Sequence, residues 1–342
     1  RLRIGMIGCG EFAVSTAKAI AEAEHAEHVM VMDVNEGVAR SLGQAHGVPH
    51  TTRVEELLAN PRVQAVYIAV PHHLHAPLAI QALRAGKHVL VEKPIATTLA
   101  DADAMIAAAE KAGRVLALTF QAQTNPCLQR IRALIAGGAI GKVLGTHIVY
   151  RSRKPDNYWQ GGYTGRSQTD WRASRARAGG GILIMNVSHE LNTMRYLTGL
   201  EVTRVSCEYD TFATPVEVED YIAVTYRYAN GAIGSVEAGS RIVGKDPLGD
   251  AHRIYGEKGQ IILSQPRMVF LAEEAAGLRA GEWIKLDGDE VDNCTLVVEG
   301  FARAVLGHTA PPVTAQDGRA ALEIVLAAYR AGREHRVVEL PL

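Results

Sequence analysis

The sequence predicts an α/β N-terminal domain on a parallel sheet, joined to an α+β C-terminal domain with a large, mostly antiparallel open sheet. Three observations carry that reading. Short apolar runs alternate with Ala-rich stretches of helical length through residues 1–122, the order of strand, helix, strand that builds a parallel sheet covered on both faces. A Gly-x-Gly turn follows the first of these runs. In residues 123–342 the apolar period shortens to two, as in strands with one buried and one open face.

The N-terminal strands are expected at 2–7, 29–32, 63–70, 88–91 and 115–118, each short enough to be a buried parallel strand. Helices are expected between them at 16–24, 38–46, 54–58, 76–85 and 101–111, the last started by the Thr98 to Asp101 stretch. A further helix fits 127–136, closed by Gly137-Gly138. Ile222, Val224, Tyr226 and Tyr228 then share one face of a strand, and Asn230-Gly231 predicts a hairpin into 232–238. A second hairpin is expected from 253–256 through Glu257-Lys258-Gly259 into 260–263. A helix at 315–331, expected to pack back on the N-terminal domain, and a short strand at 336–340 complete the pattern.

Composition narrows the function. The 342 residues are 47% apolar and 21% charged, and 36 Lys and Arg against 37 Asp and Glu leave a net charge of −1. Such a balance provides no broad field for nucleic acid or an anionic membrane, and no apolar run approaches the roughly 18 residues of a membrane helix. Cys9, Cys127, Cys207 and Cys294 are scattered, which predicts a reducing, cytoplasmic setting and neither a disulfide framework nor a zinc site. The chain enters a strand pattern directly at Arg1, and no signal peptide is expected within it. Glycine, at 33 residues, exceeds its usual ~7% share, which directs attention to places where backbone must approach something closely.

The first such place is Gly8-Cys9-Gly10-Glu11-Phe12-Ala13, between the first strand and a helix. This is the G-x-G-x-x-A pattern of a Rossmann dinucleotide site in its required context. Gly8 serves the tight turn, Gly10 admits a pyrophosphate, and Ala13 lets helix and strand pack closely. Asp33, with Val34 beside it, ends the second strand where a carboxylate binds adenosine ribose hydroxyls. No Arg follows Asp33 directly, which favours NAD, while Arg40 a turn further on keeps NADP open.

Pro71-His72-His73-Leu74-His75, the string Gly86-Lys87-His88-Val89 leading to Glu92-Lys93-Pro94, and Ala178-Gly179-Gly180-Gly181 leading to His189 follow. On these motifs the sequence resembles the glucose–fructose oxidoreductase / inositol dehydrogenase (Gfo/Idh/MocA) family over nearly its whole length. The resemblance implies an NAD(P)-dependent oxidoreductase acting on a carbinol carbon of a neutral sugar, sugar derivative or cyclitol. It implies that Lys93 contacts the reacting hydroxyl, where an ammonium stabilises developing alkoxide charge. His189 then matches the general base, since imidazole titrates near working pH. Pro71, His72, His75 and Glu92 would flank the cofactor with Cys9, Glu11 and Phe12. The resemblance also implies a homodimer or homotetramer through the C-terminal sheet.

One departure stands out. The family usually carries an Asp four residues before this His, and here the position is Met185, with Asn186 beside it. Met185 cannot stabilise a protonated His189, so either another carboxylate, Asp170 or Glu190, is a candidate for that task, or Lys93 carries more of the proton transfer. The stretch 154–177 is the expected specificity segment, with Tyr158, Trp159, Tyr163, Asp170, Trp171 and Arg172 crowded between glycines. Aromatics stacking on sugar faces with Asp and Arg on hydroxyls make a polyol pocket; an ordinary loop buried at a subunit contact is the plainer alternative. Asn186 and Asn192 are candidates to face the same substrate. His72, His73 and His75 have no carboxylate or cysteine cluster beside them, and no metal site is expected. Two other classes stay open: an NAD-retaining glycoside-cleaving enzyme of the same fold, and a non-catalytic NAD-binding regulator.

Overall fold

The computed structural model describes residues 1–244, 251–286 and 291–342. The chain forms two compact units that are not two consecutive stretches. The first comprises Arg1–Thr124, Pro155–Gly179 and Val291–Leu322; the second comprises Asn125–Lys154, Gly180–Glu290 and Glu323–Leu342. The segment rich in Tyr and Trp thus belongs to the same unit as the glycine turn, and the helix Ala315–Glu334 contributes residues to both units.

The first unit is built on a parallel six-stranded sheet in the order β3-β2-β1-β4-β5-β6. Its strands are β1 Leu2–Ile7, β2 Ala26–Met32, β3 His50–Thr51, β4 Ala65–Ile68, β5 His88–Val91 and β6 Leu116–Leu118. This order reverses between β1 and β4, the switch point at whose carboxyl ends open α/β sheets bind ligands. Local signals set the helices. Asn35 accepts the N–H of Val38 to start Glu36–His46, and left-handed Gly47 ends it. Thr98 accepts the N–H of Asp101 to start Leu99–Ala112, and Gly113 closes it the same way.

Besides several short helical turns, the sequence expectation lacks β3 and one late helix of this unit. β3 has only two residues, too few to give a period. The helix Asn293–Gly307 returns from late in the chain and places Val297, Val298, Phe301 and Ala302 in the core formed by Leu2, Ile4, Ala13, Ala17 and Ile20. The first helix, Glu11–Glu22, starts earlier than expected, directly after Gly10, so Glu11 and Phe12 stand in its first turn.

The second unit carries a nine-stranded sheet, β14-β13-β12-β11-β7-β10-β9-β8-β15. Its strands are β7 Val143–Arg151, β8 Val202–Asp210, β9 Tyr221–Tyr228, β10 Ile233–Gly239, β11 Arg253–Gly256, β12 Gly259–Ile262, β13 Met268–Leu271, β14 Trp283–Lys285 and β15 Val338–Glu339. All pairings are antiparallel except β10 with β7. Both expected hairpins are present, β9–β10 around Asn230-Gly231 and β11–β12 around Glu257-Lys258. Ile222, Val224, Tyr226 and Tyr228 are buried, while Ala223, Thr225 and Arg227 face outward.

Candidate active site

The glycine turn follows β1 in the first unit. Gly8 has φ +93°, and a Cβ there would stand 2.2 Å from the Ala69 carbonyl oxygen, so only glycine fits. The Cys9 N–H donates to Asp33 Oδ2 at 2.8 Å, and the Asn35 N–H donates to Oδ1 at 2.9 Å. Each carboxylate oxygen keeps a second lone pair for a ribose hydroxyl. The Cys9 thiol is buried, and burial with the nearby Asp33 charge pushes it up to about 12, so it is an inert packing group.

A Cβ built on Gly10 meets open space, and no side chain caps the helix that Gly10 begins. A pyrophosphate can approach that backbone and take the helix N–H groups. Ala13 is fully buried, whereas Phe12 and Val34 are exposed beside the turn. On these observations the residues fit a dinucleotide: Gly8 to Ala13 for the phosphates, Asp33 and Val34 for the adenosine end. Arg40 is paired with Glu36 on its own helix.

The Glu92-Lys93-Pro94 segment leaves the carboxyl end of β5, next to the switch point, and its Lys93–Pro94 peptide is cis. It is held on both sides. Tyr67 and Thr119 donate to the Glu92 carboxylate at 2.7 and 2.9 Å, and the Lys93 N–H reaches it at 3.3 Å. The fully buried His75 ring has Nδ1 2.7 Å from the Pro94 carbonyl and Nε2 3.0 Å from the Val70 carbonyl. Burial pushes the His75 pKa down, those two carbonyls pull it up, and burial prevails. The Glu92 carboxylate thus has protein donors on both oxygens, and the neutral His75 ring, with a single N–H, donates to one of the two carbonyls it faces. Pro71 precedes the short turn His72–Leu74. His72 is also buried, with Nδ1 2.8 Å from the Ala178 carbonyl and its ring 4.5 Å from Trp171. Its pKa lies well below the ordinary value through burial first and the neighbouring His75 second.

Residues 155–179 pack as an aromatic and cationic cluster in the same unit. The Arg172 guanidinium lies 5.1 Å from the Tyr158 ring and 4.7 Å from the Trp171 ring. Tyr163 stands 5.0 Å from Tyr158 and is half exposed. The segment is tied to the glycine turn, because Glu11 accepts the Thr164 N–H and Arg166 Nε donates to the Cys9 carbonyl at 2.9 Å. Burial works to raise the Glu11 carboxyl, but the bonds from Thr164 and Tyr163 and the Arg172 charge leave it below the usual range. Arg166 was not marked by the sequence, since nothing local says that a loop arginine returns to residue 9. Asp170 is exposed and bound by Arg177 at 2.7 Å, which lowers its pKa.

In the second unit, Leu183–Val187 forms a π-helical turn that runs straight into the helix Ser188–Thr198. Met185 and Asn186 lie on the π-turn and His189 at the start of the α-helix, a placement of the kind that π-bulges often serve at functional sites. Asn186 Nδ2 donates to the Tyr150 hydroxyl at 3.0 Å. Its Oδ1 is buried without a hydrogen-bond partner among the described residues, an acceptor ready for a hydroxyl donor. Tyr150, with the Lys154 ammonium 5.7 Å from its ring, joins this group without having been marked by the sequence. Asn192 is buried on the same helix as His189.

The strand order, glycine turn and ribose carboxylate define the first unit as a dinucleotide-binding Rossmann domain. Comparison with known proteins agrees. Residues 2–120 match the family model described as oxidoreductase family, NAD-binding Rossmann fold, and residues 128–262 match the GFO/IDH/MocA C-terminal domain. The chain belongs to the Gfo/Idh/MocA oxidoreductase family. It is similar to a 1,5-anhydro-D-fructose reductase of Ensifer adhaerens, 27% identical over 341 residues, which cover 99% of this chain and 98% of that protein. It is equally similar to a myo-inositol 2-dehydrogenase of Thermotoga maritima, 27% identical over 348 residues, covering 99% and 98%. Among solved structures, levoglucosan dehydrogenase in complex with NADH and levoglucosan matches with a TM-score of 0.86 at 25% identity, covering 100% of both chains.

Proposed function

We propose that this protein oxidises or reduces a carbinol carbon of a neutral sugar, anhydrosugar or cyclitol, with NAD as the preferred cofactor and NADP as the lesser one. One observation carries the reading: the Lys93 turn at the switch point is fixed from both sides, by Tyr67 and Thr119 on Glu92 and by His75 on Pro94. A lysine held so firmly at the carboxyl end of a Rossmann strand is suited to orient a reacting oxygen beside the cofactor. NAD, when bound, supplies the hydride acceptor.

Lys93 hydrogen-bonds the reacting hydroxyl and stabilises the charge that develops on its oxygen. His189 takes the hydroxyl proton in the oxidative direction and returns it in the reductive one. Asn186 accepts a neighbouring hydroxyl at its buried Oδ1, and Tyr163, Trp171 and Arg172 present ring faces and a cation to the sugar. The four cysteines are unpaired, which supports a cytoplasmic site of action; no described helix is long and apolar enough to cross a membrane. The open face of the nine-stranded sheet supports a homodimer or homotetramer.

The test is a panel of levoglucosan, myo-inositol and other inositols, aldoses and glycosides with NAD, and 1,5-anhydro-D-fructose with NADH, following NADH and product together. Net change in NADH with one of these is expected. Glycoside cleavage without net NADH would assign the cleaving reaction, and NAD binding without any turnover would assign a regulator. Lys93→Ala is expected to lower kcat by about 100-fold or more while NAD affinity holds, the loss typical of a group that stabilises developing charge. Undiminished turnover in that variant would remove Lys93 from the chemistry.

A further inference from the structure

Glu219 and Tyr329 lie far from each other and from residues 180–189 in sequence, yet all of them meet in the second unit. Glu219, at the foot of β9, is 3% exposed. Its carboxylate accepts the Gly181 N–H at 2.6 Å on Oε2 and the Leu183 N–H at 3.0 Å on Oε1. The Tyr329 hydroxyl donates to Oε1 at 2.7 Å and accepts the Ile184 N–H at 3.3 Å. The Ile182 N–H goes to the Glu219 carbonyl at 3.3 Å. Four successive backbone donors at the start of the π-turn are thus taken by two residues. Helix starts ordinarily leave such donors to water or to one short capping side chain.

The glycines belong to the same device. A Cβ on Gly180 would stand 2.2 Å from the Tyr329 hydroxyl, and one on Gly181 would stand 2.0 Å from the Glu219 carbonyl oxygen. The Gly-Gly pair is therefore the surface on which Glu219 and Tyr329 close. Burial raises the Glu219 pKa, and the hydrogen bonds it accepts oppose that rise.

We infer that Glu219 and Tyr329 are positioning residues that clamp the π-turn Leu183–Val187 and thereby set where Asn186 and His189 stand. This rests on the proposed role of His189 in proton transfer. Where the family pattern has an ionisable Asp, Met185 offers no charge, so the orientation of the base falls more heavily on the backbone that carries it. A displacement of about 1 Å at a reacting group can cost on the order of 100-fold in rate.

The test is Tyr329→Phe, which keeps the ring and deletes only the hydroxyl, assayed on the sugar from the panel above, with Glu219→Gln as the second variant. The expected result is a fall in kcat of about tenfold, with NAD affinity and KM within about twofold. In a His189→Ala background the same change is expected to cost nothing further, since groups acting through one another are not additive. A structural defect would lower both backgrounds alike. If His189→Ala lowers kcat to a measurable residual rate and Tyr329→Phe retains full kcat, or lowers both backgrounds equally, the positioning role is overturned and the proposed function stands. Should Tyr329→Phe not fold, the same readings on Glu219→Gln decide. If His189→Ala retains full activity, or no panel sugar turns over, the proposed function fails and the inference fails with it.

Discussion

The Asp33 carboxylate already accepts the N–H groups of Cys9 and Asn35, so its removal acts on the glycine turn as well as on any ribose it holds. These effects separate by cofactor. Loss of the turn bonds weakens NAD and NADP alike, whereas loss of the ribose bonds weakens NAD alone, because a carboxylate repels a 2′-phosphate. Asp33→Ala is expected to raise the NAD dissociation constant by about 10–100-fold, the worth of one or two charge-assisted bonds. The NADP constant should rise clearly less, with Arg166 standing on the Cys9 carbonyl as a nearby cation. Fluorescence titration of both cofactors measures this, and equal weakening would confine Asp33 to holding the turn. At this scale the sequence was informative where a motif is contiguous: Gly8, Gly10, Asp33 and Lys93 all stand at the carboxyl ends of strands of one sheet. It was silent where a side chain crosses the chain. Nothing near Glu219, Tyr329 or Arg166 announces that their partners lie 36, 145 and 157 positions away.

Elements followed the same division. Strands of the parallel sheet are legible because burial on both faces makes them continuous apolar runs, and the hairpins because Asn230-Gly231 and Glu257-Lys258 supply the turns. The helix Asn293–Gly307 was not expected, although Val297, Val298, Phe301, Ala302 and Val305 have helical spacing; its contact with the N-terminal helix forms at long range, and Gly300 interrupts its propensity. A local element can also store an ionisation. His28 on β2 lies with its ring 5.5 Å from His46, at the end of the helix Glu36–His46. Neither His28 ring nitrogen has a hydrogen-bond partner among the described residues. Burial first, and His46 second, lower its pKa from 6.5 to about 4. The unfolded chain therefore binds this proton at a higher pH than the fold does. The preference of the fold for the neutral ring is complete above pH 6.5 and is lost as pH falls towards about 4. The loss amounts to on the order of 3 kcal/mol. Urea unfolding of wild type and His28→Leu at several pH values in that window is expected to show the variant losing less stability on acidification. Parallel curves would place the acid sensitivity elsewhere.

For the whole molecule, assembly is expected through the outward face of the nine-stranded sheet. Register places Ile233, Gly145, Tyr255, Gln260, Phe270 and Trp283 in one row across six strands on the outward face. Ile233 is 52% exposed, Tyr255 37% and Trp283 38%, and the row continues from Ile233 to the outward-facing Arg227 on β9. The adjacent row runs Ser235, His147, Arg253, Ile262, Met268 and Lys285, with His147 Nδ1 2.8 Å from the Ser235 hydroxyl. An apolar row edged by polar groups on a broad sheet is the composition of an interface, and a twofold axis lets one such face meet its own copy. Burying three large side chains per chain contributes roughly 1.5–3 kcal/mol for each one fully covered, so two substitutions should suffice to disrupt the contact. Light scattering after size exclusion is expected to find wild type as a dimer or tetramer, and Tyr255→Glu combined with Trp283→Glu as a folded monomer with unchanged NAD affinity. The glycine turn lies wholly in the first unit, so cofactor binding should not register the loss of the contact. A monomeric wild type would remove the sheet face from assembly, and an intact oligomer in the double variant would move the interface to another surface.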